Sequence, residues 1–156
     1  MLPLKRILVP TDFSEASYSA FGAAGELAEQ YRAVIVLLHV IPPIPVFAYD
    51  VPALDVSVYS RTLHDAAVGH LHALISRNFP PGVTVEPRVV LGDPARTIVK
   101  SAHDEGADMV VISTHGETGW RHTLFGSVTE KVVRLADRPV LVIQAEQEEE
   151  GRGERS

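Results

Sequence analysis

The sequence predicts a single α/β domain, a three-layer sandwich in which a five-stranded parallel sheet lies between helices. Five apolar runs recur along the 156 residues, and helical patterns separate them, so the predicted order is βα repeated four times and then a final strand. Four of the runs are nearly continuous and rich in β-branched residues, which is typical of strands buried on both faces of a parallel sheet. Right-handed crossovers then place helices on both faces of the sheet.

Five strands are predicted at residues 7–10, 34–41, 83–91, 109–112 and 140–143. The third differs from the others because its apolar residues alternate with polar ones. It also contains Pro87, which removes a hydrogen-bond donor from the ladder. Because proline is tolerated mainly at the edges of sheets, the third strand is predicted to lie at an edge.

Four helices are predicted between the strands, because apolar residues recur there at helical spacing. The stripes run from Ala16 to Tyr31, from Leu63 to Leu74, from Ala95 to Ala102 and from Val128 to Ala136. Asp93 and Pro94 predict the start of the third helix, as its N-cap and its first helical residue. Ser127 and Glu130 have the spacing of a capping box, which predicts that Ser127 caps the fourth helix.

Two regions fall outside this alternation. Residues 41–56 contain four prolines and are predicted to form an ordered, irregular excursion over the end of the sheet. Residues 146–156 are charged and lack apolar anchors, so we expect a solvated tail after a domain of residues 1–145.

The composition excludes several classes of protein. Hydrophobic residues make up 46% and charged residues 22%, which is the balance of a globular domain rather than of a disordered chain. With 0 Cys, the chain cannot form a disulfide scaffold, a thiolate zinc site or a cysteine nucleophile. A net charge of -6 argues against general nucleic-acid binding, which requires a positive surface. No targeting or membrane-spanning run is visible in the sequence, so we expect a cytoplasmic protein without a membrane partner.

The candidate site follows from the predicted topology. Parallel sheets bind ligands beyond the carboxyl ends of their strands, where the strand order reverses. If the first strand is central, residues 10–12, residues 40–41 and the segment after Ile112 surround that place. The segment 113–127 joins a buried strand to a helix, so it exposes amides at the helix N-terminus, which favours a phosphate. The alternative is that Gly126 and Ser127 are only a loop exit and a helix cap, although the length of the loop favours a functional role.

The spacing within this segment resembles a known motif. It reads Ser113, two residues, Gly116, nine residues, Gly126 and Ser127. The phosphate-binding pattern of the universal stress protein family is similar: Gly, two residues, Gly, nine residues, Gly, then Ser or Thr. Residues 7–14, 37–40, 91–95 and 138–142 also resemble successive motifs of that family, so the resemblance extends over about residues 4–144.

This resemblance implies a Rossmann-like ATP-binding homodimer with sheet order 3-2-1-4-5. It implies that the first strand end, at Pro10, Thr11 and Asp12, and the second strand end, at Val40, bound the adenosine. The ribose and phosphates would be wrapped by Ser113, Thr114, His115, Gly116, Glu117, Thr118, Gly119, Gly126, Ser127, Val128 and Thr129. Strand 140–143 would pair across the dimer axis, and Mg²⁺ would accompany the ATP.

Two of these residues also have local explanations. Asp12 suits a ribose hydroxyl or a hydrated cation, but it also suits a turn or cap before the first helix. Thr11 is better explained by turn chemistry alone. None of the seven His has the spacing of a metal site, and we predict no metal site of the protein's own.

Ser113 stands where the family has its first glycine. If that position needs a positive φ or a very close approach of the backbone, serine costs energy and weakens nucleotide binding; if it needs only a small residue near the ribose, serine is tolerated. Two functions therefore remain open. One is a dimeric stress-response or signalling module that binds ATP, and the other is a dimeric interaction module that no longer binds nucleotide.

We expect slow ATP hydrolysis at most. The sequence has no Gly-x-x-x-x-Gly-Lys-Ser/Thr loop, and no set of residues is evident to act as a base and stabilise charge at the γ-phosphate. The signatures of adenylate-forming enzymes are absent as well. We therefore assign no catalytic residue.

Overall fold

The computed structural model of the chain describes residues 3–43, 55–114 and 126–145. Nine elements alternate along these residues: β1 (Arg6–Pro10), α1 (Glu15–Tyr31), β2 (Val34–Ile41), α2 (Val56–Asn78), β3 (Val85–Leu91), α3 (Pro94–Asp104), β4 (Met109–Ser113), α4 (Ser127–Leu135) and β5 (Val140–Ile143). Most of the predicted excursion and the whole of the predicted tail lie outside the described residues.

The five strands form one parallel sheet of order β3-β2-β1-β4-β5. This confirms the predicted fold class, the strand order and the edge position of the third strand. β1 lies at the centre, where its short run of apolar residues is covered on both faces.

Two apolar clusters lie on opposite faces of the sheet, because successive strand residues point to opposite sides. On one face, α1 and α2 pack on the odd-numbered residues of β1 and β2, such as Ile7, Val9 and Ile35. On the other face, α3 and α4 pack on even-numbered residues such as Leu8 and Val36. The sheet is thus the middle of three layers.

Side-chain caps fix the first residues of three helices. Ser14 accepts from the N–H of Ser17 at α1 (3.2 Å), and Asp93 accepts from the N–H of Arg96 at α3 (3.1 Å). The second of these confirms the predicted cap and the position of Pro94 after it. Asp55 caps α2, which explains why this helix begins before the predicted stripe.

The predicted capping box at α4 is wrong. Gly126 is the N-cap and Ser127 is already helical, and no side chain caps this end of the helix. The physical reason is a backbone contact: the N–H of Gly126 donates to the carbonyl of Thr114. That bond places the N-cap at Gly126, so the helix begins at Ser127, one residue earlier than predicted.

Within residues 3–43, 55–114 and 126–145, no helix combines the length and the apolar character that crossing a bilayer requires.

Candidate functional site

A crevice opens beyond the carboxyl end of β1. β1 pairs with β2 only as far as Leu38, whereas β2 and β3 continue to Ile41. On its other side β1 pairs with β4, so the strand order reverses at β1. A cavity of about 350 Å³ lies at this point, which is where ligands bind in open parallel sheets.

Most of the predicted site residues that the structure describes lie on the wall of this cavity. They are Pro10, Thr11, Asp12, Val40, Ser113, Gly126, Ser127, Val128 and Thr129. Thr114 is buried next to the wall. The other predicted residues, His115, Gly116, Glu117, Thr118 and Gly119, lie outside the described residues.

The sequence reasoning missed part of the wall. The additional wall residues are Ser17, Leu38, His39, Pro42, Pro94, Ile98 and Ile112. Two of them had a usable signal. Leu38 shares the face of Val40 by strand alternation, and Ile98 belongs to the apolar stripe of α3. Together these facts would have placed α3 over the end of β2.

Val40 offers main-chain groups to the crevice. The N–H of Thr11 donates to the carbonyl of Leu38 (2.8 Å), and the N–H of Gly92 donates to the carbonyl of Ile41 (3.0 Å). In a parallel ladder the two backbone groups of one residue point to the same side, and the side alternates along the strand. Val40 therefore directs its N–H and C=O toward the side of β1, where β1 has already ended.

The turn after β1 combines local chemistry with a place on the wall. The hydroxyl of Thr11 is hydrogen bonded to the hydroxyl of Ser17 (2.8 Å) and accepts from the N–H of Phe13 (3.1 Å). The carboxylate of Asp12 accepts from the N–H of Ser14 (3.0 Å). Thr11 is thus a turn residue, as predicted, and Asp12 serves the turn while also lining the cavity.

Ser113 fits its position without backbone strain. It is the last residue of β4 and pairs with Ile143 of β5. Among the described non-glycine residues, positive φ occurs only at Phe13 and Arg32. A positive φ, one of the two conditions under which serine would cost energy, is therefore absent here.

The two described residues that flank positions 115–125, Thr114 and Gly126, are hydrogen bonded to each other. Thr114 accepts from the N–H of Gly126 through its carbonyl, and its own N–H donates to the carbonyl of Ile143 (2.9 Å). The hydroxyl of Thr129 donates to the carbonyl of Ser113 (2.7 Å). These bonds fix the start of α4 against the ends of β4 and β5.

The start of α4 supplies N–H groups rather than charge. The N–H groups of Ser127, Val128 and Thr129 belong to the first helical turn, which has no acceptors within the helix. Gly126 has no side chain to accept from them. The helix dipole adds a partial positive charge at this end. Among the wall residues that the structure describes, Asp12 is the only Asp, Glu, Lys or Arg.

Burial favours the neutral form of His39, a titratable residue of the wall. Burial lowers the pKa of its imidazole, while the hydrogen bond with the Thr11 carbonyl and the charge of Asp12 oppose that effect. The distance from Nδ1 of His39 to the carbonyl oxygen of Thr11 is 2.9 Å. Because a carbonyl can only accept, this nitrogen carries the proton.

In the described part of the chain, no three His, Asp or Glu residues come together to hold a metal ion.

Comparison with known proteins gives a consistent result. The model of the universal stress protein family matches residues 3–144. Universal stress protein MJ0577 of Methanocaldococcus jannaschii is 31% identical over 153 residues, covering 90% of this chain and 94% of the relative. The solved structure of MJ0577 has a TM-score of 0.80 with 31% identity, and covers 94% of this chain and 99% of that one.

Two more distant solved structures share the fold. A universal stress protein in complex with cAMP has a TM-score of 0.64 with 21% identity, and covers 92% of this chain and 98% of its own. The universal stress protein from Archaeoglobus fulgidus in complex with dAMP has a TM-score of 0.58 with 22% identity, and covers 91% and 99%.

Proposed function

The chain belongs to the universal stress protein family, and from that membership we propose that it binds ATP in the crevice beyond β1, as a dimeric stress-response or signalling module. The single observation that carries the proposal is the pairing, across one cavity, of the Val40 backbone groups with the start of α4. One end suits a base and the other suits phosphate.

The base end of the cavity combines apolar walls with one donor and one acceptor. Leu38 and Ile98 line it, and an aromatic ring buried there would be removed from water. Adenine presents an N6–H donor beside a ring-nitrogen acceptor. The C=O and N–H of Val40 complement such a pair, with no side chain needed.

The phosphate end relies on backbone dipoles. The first-turn N–H groups of α4 point beyond the helix start, and anions bind at such positions without a full positive charge. The hydroxyl of Ser127, which is exposed, is a further donor. Mg²⁺ would arrive with the nucleotide and keep most of its waters, and hydrolysis, if any, would be slow.

Two relatives of the same fold are complexes with adenine nucleotides, cAMP and dAMP. These are facts about those proteins, and they support the choice of an adenine nucleotide as the ligand tested first. The proposal also includes a cytoplasmic location and a dimer that pairs through residues 140–143.

The second candidate function is an interaction module of the same family that no longer binds nucleotide. The observation that favours it is the serine at position 113. The absence of a positive φ at Ser113 supports the first candidate instead, because one of the two reasons for a glycine at this position does not apply.

Equilibrium dialysis with ATP tests the two candidates. We expect saturable binding by the wild-type protein, and we expect Ser113→Gly to change the dissociation constant by less than about threefold. Competition by unlabelled GTP tests whether the site distinguishes adenine from guanine. Failure to bind at millimolar ATP would remove the first candidate, and a large gain in Ser113→Gly would support the second.

A further inference from the structure

The ring of Phe13 lies between two imidazoles next to the cavity. It stacks on His39 of β2 with ring centroids 4.1 Å apart and 27° between the planes. On its other face it stacks on His70 of α2, again at 4.1 Å and with 11° between the planes. One side chain of the β1–α1 turn is thus held by residues from two other elements.

This arrangement fixes a backbone that is otherwise unfavourable. Phe13 has a φ of 66°, which a bulky residue rarely adopts. Its N–H donates to the hydroxyl of Thr11 (3.1 Å) and its carbonyl accepts from the hydroxyl of Tyr18 (2.9 Å). Asp12 directly precedes it, so the place of Asp12 on the cavity wall depends on the Phe13 ring staying in its stack.

His39 links this stack to the cavity. His39 is a residue of the wall, and its imidazole bonds the Thr11 carbonyl through Nδ1 and covers one face of Phe13. Two charged or titratable residues face the imidazole of His39: Asp12, from the β1–α1 turn, and His70, from α2. Burial is the main reason that its pKa lies below the ordinary value.

We propose that His39 is a positioning residue of the nucleotide site and that it couples binding of an anionic nucleotide to uptake of a proton. The proposal rests on the proposed function, because it concerns the regulation of that same cavity. It gives the site a dependence on pH that neither the glycine pattern nor the helix start would produce.

The direction of the coupling follows from charge. A nucleotide brings negative charge into a cavity where His39 is kept neutral by burial, and that charge favours the imidazolium form. By linkage, protonation of His39 must favour nucleotide binding by the same factor. The cation also remains compatible with the stack, because it lies over the face of an aromatic ring. Affinity is therefore expected to rise as the pH falls below neutral, and to level off once His39 is protonated in the free protein too.

Calorimetric titration with ATP between about pH 7.5 and about pH 5.5 tests this coupling. The key variant is His39→Asn, whose amide keeps a donor near the position of Nδ1 but cannot titrate in this range. Titration of the ATP phosphates is common to both proteins, so the difference between their profiles isolates His39. We expect affinity to rise about threefold to tenfold more in the wild type than in the variant.

The matched control is His72→Asn. His72 lies two residues after His70 on α2 and is exposed, so its loss should leave the pH profile of the wild type unchanged. Buffers of different ionisation enthalpy give the number of protons taken up on binding, which should be lower in His39→Asn than in the wild type or His72→Asn.

A second measurement uses only the wild-type protein, so it does not depend on whether His39→Asn folds. The imidazole resonances of the wild type, followed by NMR across the same pH range, should show that ATP raises the pKa of His39. Binding with the same pH profile and proton uptake in wild type and His39→Asn, or an unchanged His39 titration when ATP is bound, would overturn this proposal alone. Absence of ATP binding at every pH would overturn the proposed function and this proposal with it.

Discussion

Gly92 occupies a turn near the cavity that leaves no room for a side chain. It joins β3 to α3, next to Pro94 of the wall, with a φ of 155°. A Cβ built there would lie 2.3 Å from the hydroxyl oxygen of Thr97. The backbone and the neighbour therefore both oppose any larger residue, and the approach of α3 to the end of β2 depends on this turn.

We expect Gly92→Ala to lower the free energy of unfolding by about 1–3 kcal/mol. Gly69→Ala is the matched control, because Gly69 lies in α2 with nothing within 4 Å of an added Cβ. That change should stabilise the protein by up to about 1 kcal/mol, since alanine is the better helix former. Urea denaturation of the three proteins measures both effects, and equal stability of Gly92→Ala and wild type would contradict the account of this turn.

At the scale of elements, four residues form an ion-pair network that joins β1, β3 and the end of α3. It lies toward the end of the sheet opposite the cavity. Arg6 pairs with Glu86 and Glu105, each at 3.0 Å. Arg88 pairs with the same two carboxylates, at 2.9 Å and 2.7 Å. These side chains are partly exposed, so the contribution of each pair to stability is small, but the closed ring fixes the edge strand to its neighbours.

The network should contribute less to the stability of the fold as the pH becomes acidic. The hydrogen bond from Arg6 holds the pKa of Glu86 below its ordinary value. A carboxyl whose folded pKa is depressed stabilises the fold above its unfolded pKa, about 4.3, and this contribution is lost as the pH falls through the folded pKa. Glu86→Gln should therefore be less stable than the wild type at pH 7, and the difference should shrink below about pH 4.

Denaturation curves between neutral and acidic pH measure that difference. Glu29→Gln provides the control, since Glu29 is an exposed carboxylate of α1. If the difference in stability between Glu86→Gln and the wild type were the same at neutral and at acidic pH, the role of Glu86 in the network would be contradicted.

The elements also show which structural features the sequence can predict. The strands were predictable because four of them are continuous apolar runs, and Pro87 marked the edge strand. The cap at Asp93 was predictable because its signal is local. The start of α4 was not, because the bond between Gly126 and Thr114 joins residues that lie twelve positions apart. The ring stack on Phe13 was hidden for the same reason, since its three members come from three elements.

In the candidate site, the residues that could be predicted from the sequence lie at the end of a strand or within a recognisable motif. It did not predict the wall residues contributed by α3, nor the direction of the Val40 backbone groups. The direction of those groups depends on the register between β1 and β2, which places the end of β1 below Val40. Ile98 of α3 could have been inferred from its apolar stripe. The sequence also left Ser113 undecided, because only the backbone shows that its position belongs to a strand.

For the domain as a whole, the apolar surface around β5 suits a second copy of the chain. β5 is an edge strand, and Leu141 on it is 36% exposed. Val133 and Leu135 of α4 are exposed as well. Pairing of two such edges would cover unpaired backbone groups and apolar area together.

We expect Leu141→Asp to weaken the proposed dimer about tenfold or more, because a charge would be buried at the strand pair. Leu91→Asp is the control on the opposite edge strand, where Leu91 is 49% exposed. Light scattering after size-exclusion chromatography measures the mass of each protein across a concentration series. A monomeric wild type, or equal dissociation of both variants, would contradict a dimer formed through β5.

The central claim is that one cavity binds the base at Val40 and the phosphates at the start of α4. The most direct measurement is an amide NMR titration of the ¹⁵N-labelled wild type with ATP. We predict saturable shifts at Val40, Ser127 and Val128, with Gly82 and Glu105 at the opposite end of the sheet unchanged. No saturable shift at millimolar ATP, or shifts confined to residues away from the cavity, would contradict the claim.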